Sequence, residues 1–178
     1  MRRRGFTLIE LVIVGGIIAI LATVMTYGLI TIRSRSKLAR VSAELGDIAK
    51  AASQYYQDNN YSYPADVSRN VPPGLEKYLA GGVWPTSIWP HGVFDWENYT
   101  GPSNQQVIQI SYHLCNSGDP DSYCSDGALF PHFTRYSSIY YCIYDSSAGT
   151  CGASSNPGHY TDPAYCVNCK VHPQNPPL

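Results

Sequence analysis

The chain has 178 residues, of which 44% are hydrophobic and 14% are charged, and its formal net charge is −1. Soluble domains carry roughly 25% charged residues, so this composition indicates one modest domain together with a membrane segment. From Asp58 onward, the sequence contains ten acidic residues and only four basic ones. A basic surface for nucleic acid is therefore excluded there, and we expect no direct nucleic-acid partner.

The N-terminal region predicts a single membrane-spanning helix. The 22 residues from Leu11 to Ile32 contain no charge, and at about 1.5 Å per residue they are long enough to cross a hydrocarbon layer of about 30 Å. The three arginines at positions 2–4 favour a cytoplasmic N-terminus. The four basic residues within 33–40 favour the opposite orientation, so charge alone does not decide it.

Beyond the membrane segment, the helical pattern continues. No proline or turn cluster interrupts Phe6 to Asp58, which predicts a helix with a membrane or filament-core part at 6–32 and an amphipathic part at 33–58. The apolar residues of the second part recur at steps of three and four, which places them on one face. They are Leu38, Val41, Leu45, Ile48, Ala52 and Tyr55.

Residues 59–169 predict a small globular head, followed by a flexible tail at 170–178. Asp58, two asparagines and Pro64 end the helix and begin a connection rich in proline and aromatic residues, which reaches Pro102. Alternating apolar and polar residues then indicate strands. The predicted elements are a short helix at Leu75–Leu79, strands at Gln106–Cys115 and Ser138–Tyr144, and a weaker third strand at Ala128–Thr134, where Pro131 favours an edge or a loop.

The start of the chain carries a specific motif, Gly5-Phe6-Thr7-Leu8-Ile9-Glu10-Leu11-Val12-Ile13-Val14. It resembles the processing site of the type IV pilin and type II secretion pseudopilin superfamily. The resemblance implies that a prepilin peptidase removes the leader, residues 1–5, by cutting between Gly5 and Phe6, and that the new amine of Phe6 is methylated. It also implies that Glu10 pairs with the Phe6 amine of a neighbouring subunit, because a carboxylate within a membrane helix is costly without a partner.

The resemblance further implies an α+β fold, in which the long helix packs on a small antiparallel sheet. The subunit would wait in the cytoplasmic membrane, in contact with lipid, and a membrane-bound assembly machinery would then stack it into a helical homopolymer at the cell surface. Four possibilities remain open. The chain forms a surface pilus, it forms a type II secretion pseudopilus, or it is a minor or tip subunit that binds a ligand. The fourth is a single-pass membrane-anchored domain that never polymerises, which would require the junction between Gly5 and Phe6 to remain uncut.

Six cysteines, all between Cys115 and Cys169, indicate an exported domain with disulfides. Their spacing favours three local couples, although a bridge from Cys115 to Cys142 across the sheet is an alternative. A redox or zinc site at Cys166 and Cys169, with His159 and His172, is less favoured. The couples are Cys115 with Cys124, Cys142 with Cys151, and Cys166 with Cys169.

Two groups of residues are candidates for ligand binding. Asp119, Asp121 and Asp126, with Asn116 nearby, offer oxygen atoms that suit Ca²⁺, but short acidic loops are commonly just solvated. The aromatic loop offers Trp84, Trp89 and Trp96, which either bind a sugar or protein or cover the apolar helix face. The spacing of residues supports no catalytic motif, so we expect a structural protein and not an enzyme.

Overall fold

The computed structural model describes residues 6–101, 104–146 and 162–169. It has the α+β arrangement expected, with one long helix followed by a four-stranded sheet. Three short 3₁₀ helices connect the larger elements, at Leu75–Tyr78, Ala80–Gly82 and Asp121–Tyr123. The main elements are α1 (Leu8–Asp58), β1 (Val93–Thr100), β2 (Gln106–His113), β3 (Ser138–Asp145) and β4 (Ala164–Cys166).

Helix α1 is continuous over 51 residues, or about 77 Å at the standard rise, which confirms the predicted helix. Thr7 caps its start and forms a capping box with Glu10. Asn59 caps its end, and the next residues, Asn60 and Tyr61, adopt positive φ values of 53° and 58°. This left-handed pair turns the chain away from the helix axis into the head.

The sheet has the order β1-β2-β3-β4, in which the first three strands are antiparallel and β4 runs parallel to β3. The expectation of a purely antiparallel sheet was therefore wrong at this edge. The predicted strands at β2 and β3 are confirmed, whereas Ala128–Thr134 forms only part of a turn closed by one bridge between Asp126 and Phe130. Strand β1 was not predicted, because it lies within the stretch assigned to the connection, and neither was β4, which has only three residues.

The core forms where α1 lies across one face of the sheet. The predicted apolar stripe is confirmed, because five of its six residues are at most 4% exposed, namely Leu38, Val41, Leu45, Ile48 and Ala52. The sixth, Tyr55, is partly buried and packs against this core. Burial of such side chains contributes roughly 1.5–3 kcal/mol each. On the sheet, the residues that face the helix are Phe94, Trp96, Ile108, Ile110, Tyr112 and Ile139.

The opposite face of β1 and β2 carries polar side chains, because neighbours along a strand point to opposite faces. This polar layer consists of Asp95, Glu97, Gln109, Ser111 and His113. The last three are buried. All seven residues of β2 after Gln106 are buried, so this strand is covered on both faces of the sheet. Buried polar atoms require partners, so the contacts among these side chains decide whether the layer is stable.

Asp126 joins the head to the helix just beyond its exposed apolar segment. Its Oδ2 accepts hydrogen bonds from Ser34 Oγ at 2.9 Å and Trp89 Nε1 at 3.1 Å, and its Oδ1 accepts from the backbone N–H groups of Ala128 and Leu129. Burial raises the pKa of Asp126, but these hydrogen bonds outweigh burial and hold the pKa below its ordinary value. The carboxylate therefore fixes a head loop against the helix.

Replacement of Asp126 by Ala is expected to lower the free energy of unfolding by about 2 kcal/mol, since it leaves buried donors without their charged acceptor. Because folding lowers the pKa of this group, its contribution is present above the ordinary Asp pKa and is lost as the pH falls through the folded value. Thermal unfolding of the detergent-solubilised chain at neutral pH and at about pH 3 measures both effects. Asp126→Asn, which keeps an acceptor for the backbone, should lose less stability, and an equal loss in the two variants would contradict this assignment.

Candidate assembly interface

The N-terminal half of α1 projects from the head with its apolar side chains exposed. Phe6 is 84% exposed, and the large hydrophobic residues described between Leu8 and Ile32 are each at least 51% exposed. A window of this helix has a mean hydropathy of 2.6 and is long and apolar enough to cross a membrane. A helix that is hydrophobic all round must be covered, and lipid or other helices of the same kind can cover it.

Glu10 is the one acidic residue in the first turn of this exposed segment. Its Oε2 accepts hydrogen bonds from the backbone N of Thr7 at 2.8 Å and from Thr7 Oγ1 at 2.7 Å. Both bonds use the same oxygen, and within the part of the chain that the structure describes Oε1 accepts none. Glu10 can therefore cap its own helix and still offer a carboxylate oxygen to a cation from outside.

The burial of the three tryptophans bears on the two interpretations of the aromatic loop. Trp89 and Trp96 are 5% and 0% exposed, so no ligand can stack on their faces. Trp84 is partly buried and packs beside Phe94, with ring centroids 6.3 Å apart. These residues complete the core against the helix, as the alternative interpretation predicted, because bulky rings next to proline gain most by covering the apolar stripe.

Tyr112 holds this loop in place from the middle of the sheet. Its hydroxyl oxygen accepts hydrogen bonds from the backbone N of Ile88 at 3.0 Å and of Trp89 at 2.8 Å, and it lies 3.0 Å from Ser87 Oγ. Gly92 lies against the same ring, and a Cβ there would be 1.9 Å from the hydroxyl oxygen. The loop conformation thus depends on one buried phenol.

Tyr112→Phe should lower the free energy of unfolding by about 2 kcal/mol, because it leaves two backbone donors without an acceptor. The amides of Ile88 and Trp89 should also exchange with solvent faster, which hydrogen exchange measures directly. Tyr123→Phe serves as the matched control, since Tyr123 is 51% exposed and surface changes usually stay within about 0.5 kcal/mol. Unchanged exchange at Ile88 and Trp89 would contradict this role of Tyr112.

The three aspartates considered for calcium have separate partners. Asp119 Oδ2 accepts from the backbone N of Asn116 at 2.9 Å, whereas Asp121 Oδ1 accepts from Arg135 Nε at 2.9 Å. That hydrogen bond lowers the pKa of Asp121. Asp126 is committed to the helix junction described above. Among the described residues, these carboxylates do not form a group with metal-ligand spacing, and the structure therefore does not bring the predicted calcium ligands together.

Local disulfides join Cys115 to Cys124 and Cys166 to Cys169, which are two of the three favoured couples. The alternative bridge from Cys115 to Cys142 was therefore wrong. Cys142 is also disulfide-bonded, and its predicted partner Cys151 lies outside the described residues. The same holds for Gly5, His159, His172 and the predicted flexible tail at 170–178.

Two features of the head were not anticipated from the sequence. Asp95, Glu97 and His113 form a group whose potential ligand atoms lie within 4.8 Å of one another. The alternation of β1 was the signal that would have placed both carboxylates on one face. The second feature is a cleft beside the end of α1, lined by four tyrosines and two polar residues. They are Tyr56, Tyr61, Ser62, Tyr63, Gln106 and Tyr144.

Comparison with known proteins bears on the exposed helix. The family described as "Prokaryotic N-terminal methylation motif" matches residues 1–26. The chain is also similar to the type IV wide pilus major component PilA4 of Thermus thermophilus, with 44% identity over 73 residues. These matches support the type IV pilin superfamily. The aligned region covers 41% of this chain and 55% of the relative, so the chain spans about half the length of the pilin it matches. No solved structure matches the chain.

Proposed function

We propose that this protein is a pilin, the structural subunit of a type IV pilus-like surface filament. The observation that carries the proposal is the exposed apolar helix of residues 6–32, which has no cover within the described chain and begins with a carboxylate at Glu10. Stacking of such helices transfers them from lipid into a bundle of similar polarity. Each contact would join different surfaces of identical subunits, and such contacts extend as a helical filament when their rotation does not close into a ring.

The glycines of the helix support close packing between subunits. Gly15, Gly16 and Gly28 lie within α1, and a Cβ at any of them would meet nothing within 4 Å. The fold of the single chain therefore does not require them, although glycine in a helix costs about 1 kcal/mol relative to alanine. Small residues let helices approach closely in an apolar environment, which would recover that cost in a filament.

Processing and localisation form part of the proposal. A prepilin peptidase cuts between Gly5 and Phe6 and the Phe6 amine is methylated, while the leader stays cytoplasmic and the head lies outside. Before assembly, lipid covers residues 6–32. The membrane-bound pilus machinery and further copies of this chain are the proposed partners, and Glu10 pairs with the Phe6 amine of a neighbour.

Immunogold electron microscopy of native cells, with an antibody to the head, tests the proposal. We expect dense labelling along filaments and a high abundance of the chain in the sheared surface fraction, because the relative is a major pilus component. Labelling of filament ends only would indicate a minor or tip subunit instead. Labelling confined to the envelope, with no long filaments, would favour the type II secretion pseudopilus and contradict the proposal.

A further inference from the structure

Three side chains in the polar layer converge across two strands. Asp95 and Glu97 alternate on β1, and His113 ends β2 on the same face. His113 Nε2 lies 3.6 Å from Asp95 Oδ2, and all three potential ligand atoms lie within 4.8 Å of one another. His113 is only 4% exposed, whereas Asp95 and Glu97 are half-buried, so the site would open to solvent on the side of the carboxylates.

The second ring nitrogen of His113 fixes which atom faces the carboxylates. Nδ1 lies 3.0 Å from the carbonyl oxygen of Ser137. A carbonyl can only accept, so Nδ1 donates its hydrogen and Nε2 points toward Asp95. In the neutral ring, the Nε2 lone pair faces Asp95 and Ser111 Oγ, which lies 3.4 Å away, and it is available to a cation. Metal-binding histidines are commonly oriented in this way by a backbone carbonyl.

We propose that Asp95, Glu97 and His113 bind a zinc ion in the polar layer. One imidazole nitrogen and two carboxylate oxygens are a ligand set that suits Zn²⁺, whereas Ca²⁺ takes six to eight oxygen ligands. Tetrahedral bonds of 2.0–2.2 Å would place neighbouring ligand atoms about 3.3–3.6 Å apart, close to the observed separation of Nε2 and Oδ2. Only small side-chain movements are then needed to close the site.

An independent observation points to the same position. Gln109 is 0% exposed and lies directly opposite Glu97 in the β1–β2 register. Neither its Nε2 nor its Oε1 has a hydrogen-bond partner in the part of the chain that the structure describes. A buried carboxamide without partners is unfavourable. A water molecule in the fourth position of a three-ligand zinc site would give Gln109 a hydrogen-bond partner.

Asp66 lies near enough to Asp95 and Glu97 to interact with both, so three carboxyl groups meet beside the site. The backbone N of Arg69 donates to Asp95 Oδ1, and its guanidinium is 3.2 Å from the carbonyl oxygen of Cys115. A zinc ion bound here would clamp β1 to β2 on the face away from the helix.

The test uses the full chain in detergent after treatment with a chelator. Zinc titration should raise the thermal unfolding temperature of the wild type, and metal analysis should find about one tightly bound ion per chain. His113→Gln and Asp95→Asn should each weaken zinc binding by about a hundredfold or more, since loss of a ligand exceeds the tenfold to hundredfold effect of outer contacts. A wild type that neither retains zinc nor responds to micromolar zinc would overturn the proposal.

His91→Gln is the matched control. His91 Nδ1 lies 3.6 Å from Asp119 Oδ2, the same separation as in the proposed site, but its side chain is 43% exposed. This variant should keep the affinity and stoichiometry of the wild type. A loss of zinc response in His91→Gln with none in His113→Gln would place the ion at the surface pair and contradict the assignment.

Glu97→Gln tests whether these residues bind zinc even if the other variants fail to fold. Glutamine keeps an oxygen that can accept from Ser111 Oγ and removes one of three neighbouring carboxyl groups, so the metal-free unfolding temperature should be unchanged or higher. The same variant should lose most of the stabilisation that zinc gives the wild type. If Glu97→Gln responds to zinc as strongly as the wild type, these residues do not hold the ion.

Discussion

A Glu10→Gln variant is expected to enter the membrane and be processed normally, yet to yield about a hundredfold less filament. Glutamine at this position can still form the capping box with Thr7, so the helix start is preserved. The neighbour's Phe6 amine, however, would enter an apolar bundle without a carboxylate. Leaving one member of a buried ion pair uncompensated costs about 3–5 kcal/mol, and each 1.4 kcal/mol is about a factor of ten in an equilibrium constant.

Thr7→Val provides the complementary control for Glu10. It removes the hydroxyl that Glu10 Oε2 contacts at 2.7 Å but retains the charge. Loss of a helix cap costs about 1 kcal/mol, so filament yield in the sheared surface fraction should fall by about tenfold at most. Equal defects in the two variants would show that helix capping, and not the Glu10 charge, governs assembly.

A Gly5→Val variant is expected to accumulate in the membrane with its leader attached and to form no filaments. The resemblance implies that the peptidase requires glycine before the cut, and without cleavage no free amine exists at Phe6. Three arginines at positions 2–4 would then have to enter the bundle next to Glu10, and unpaired charges are strongly disfavoured in apolar surroundings. Gel mobility in the membrane fraction and filament counts by electron microscopy measure both effects.

Arg3→Lys is the control for the leader, because it keeps the length and charge of residues 1–5. Processing and filament number should match the wild type. Normal filaments in Gly5→Val would mean that assembly does not depend on this cleavage, and the function proposed for the chain would then be wrong.

Long, periodic elements were predictable from the sequence, and short ones were not. Helix α1 follows from an uninterrupted apolar run and a stripe at steps of three and four, and both signals extend over many residues. Strand β4 has three residues, and its place beside β3 depends on tertiary contacts that no local pattern encodes. Strand β1 had the alternation of a strand, but prolines and glycines around it favoured a connection.

The residues of the candidate sites also divide into those that the sequence predicts and those that it does not. Glu10 and the exposed helix could be predicted because motif and hydropathy are local properties. Trp89 and Trp96 offered the same sequence signal for binding or for core packing, and only their positions against α1 decide for packing. The grouping of Asp95, Glu97 and His113 depends on the β1–β2 register. This register brings His113 close to residues 16 and 18 positions before it, and sequence periodicity does not fix it.

Intact-mass measurement of the chain recovered from filaments sheared off native cells tests the central claim most directly. We predict one abundant polypeptide that begins at Phe6, lacks residues 1–5 and carries a single methyl group at its N-terminus. This result would show that the processed helix is the assembling form. A chain that retains Met1–Gly5, or one that is absent from sheared filaments while abundant in the membrane, would contradict the account.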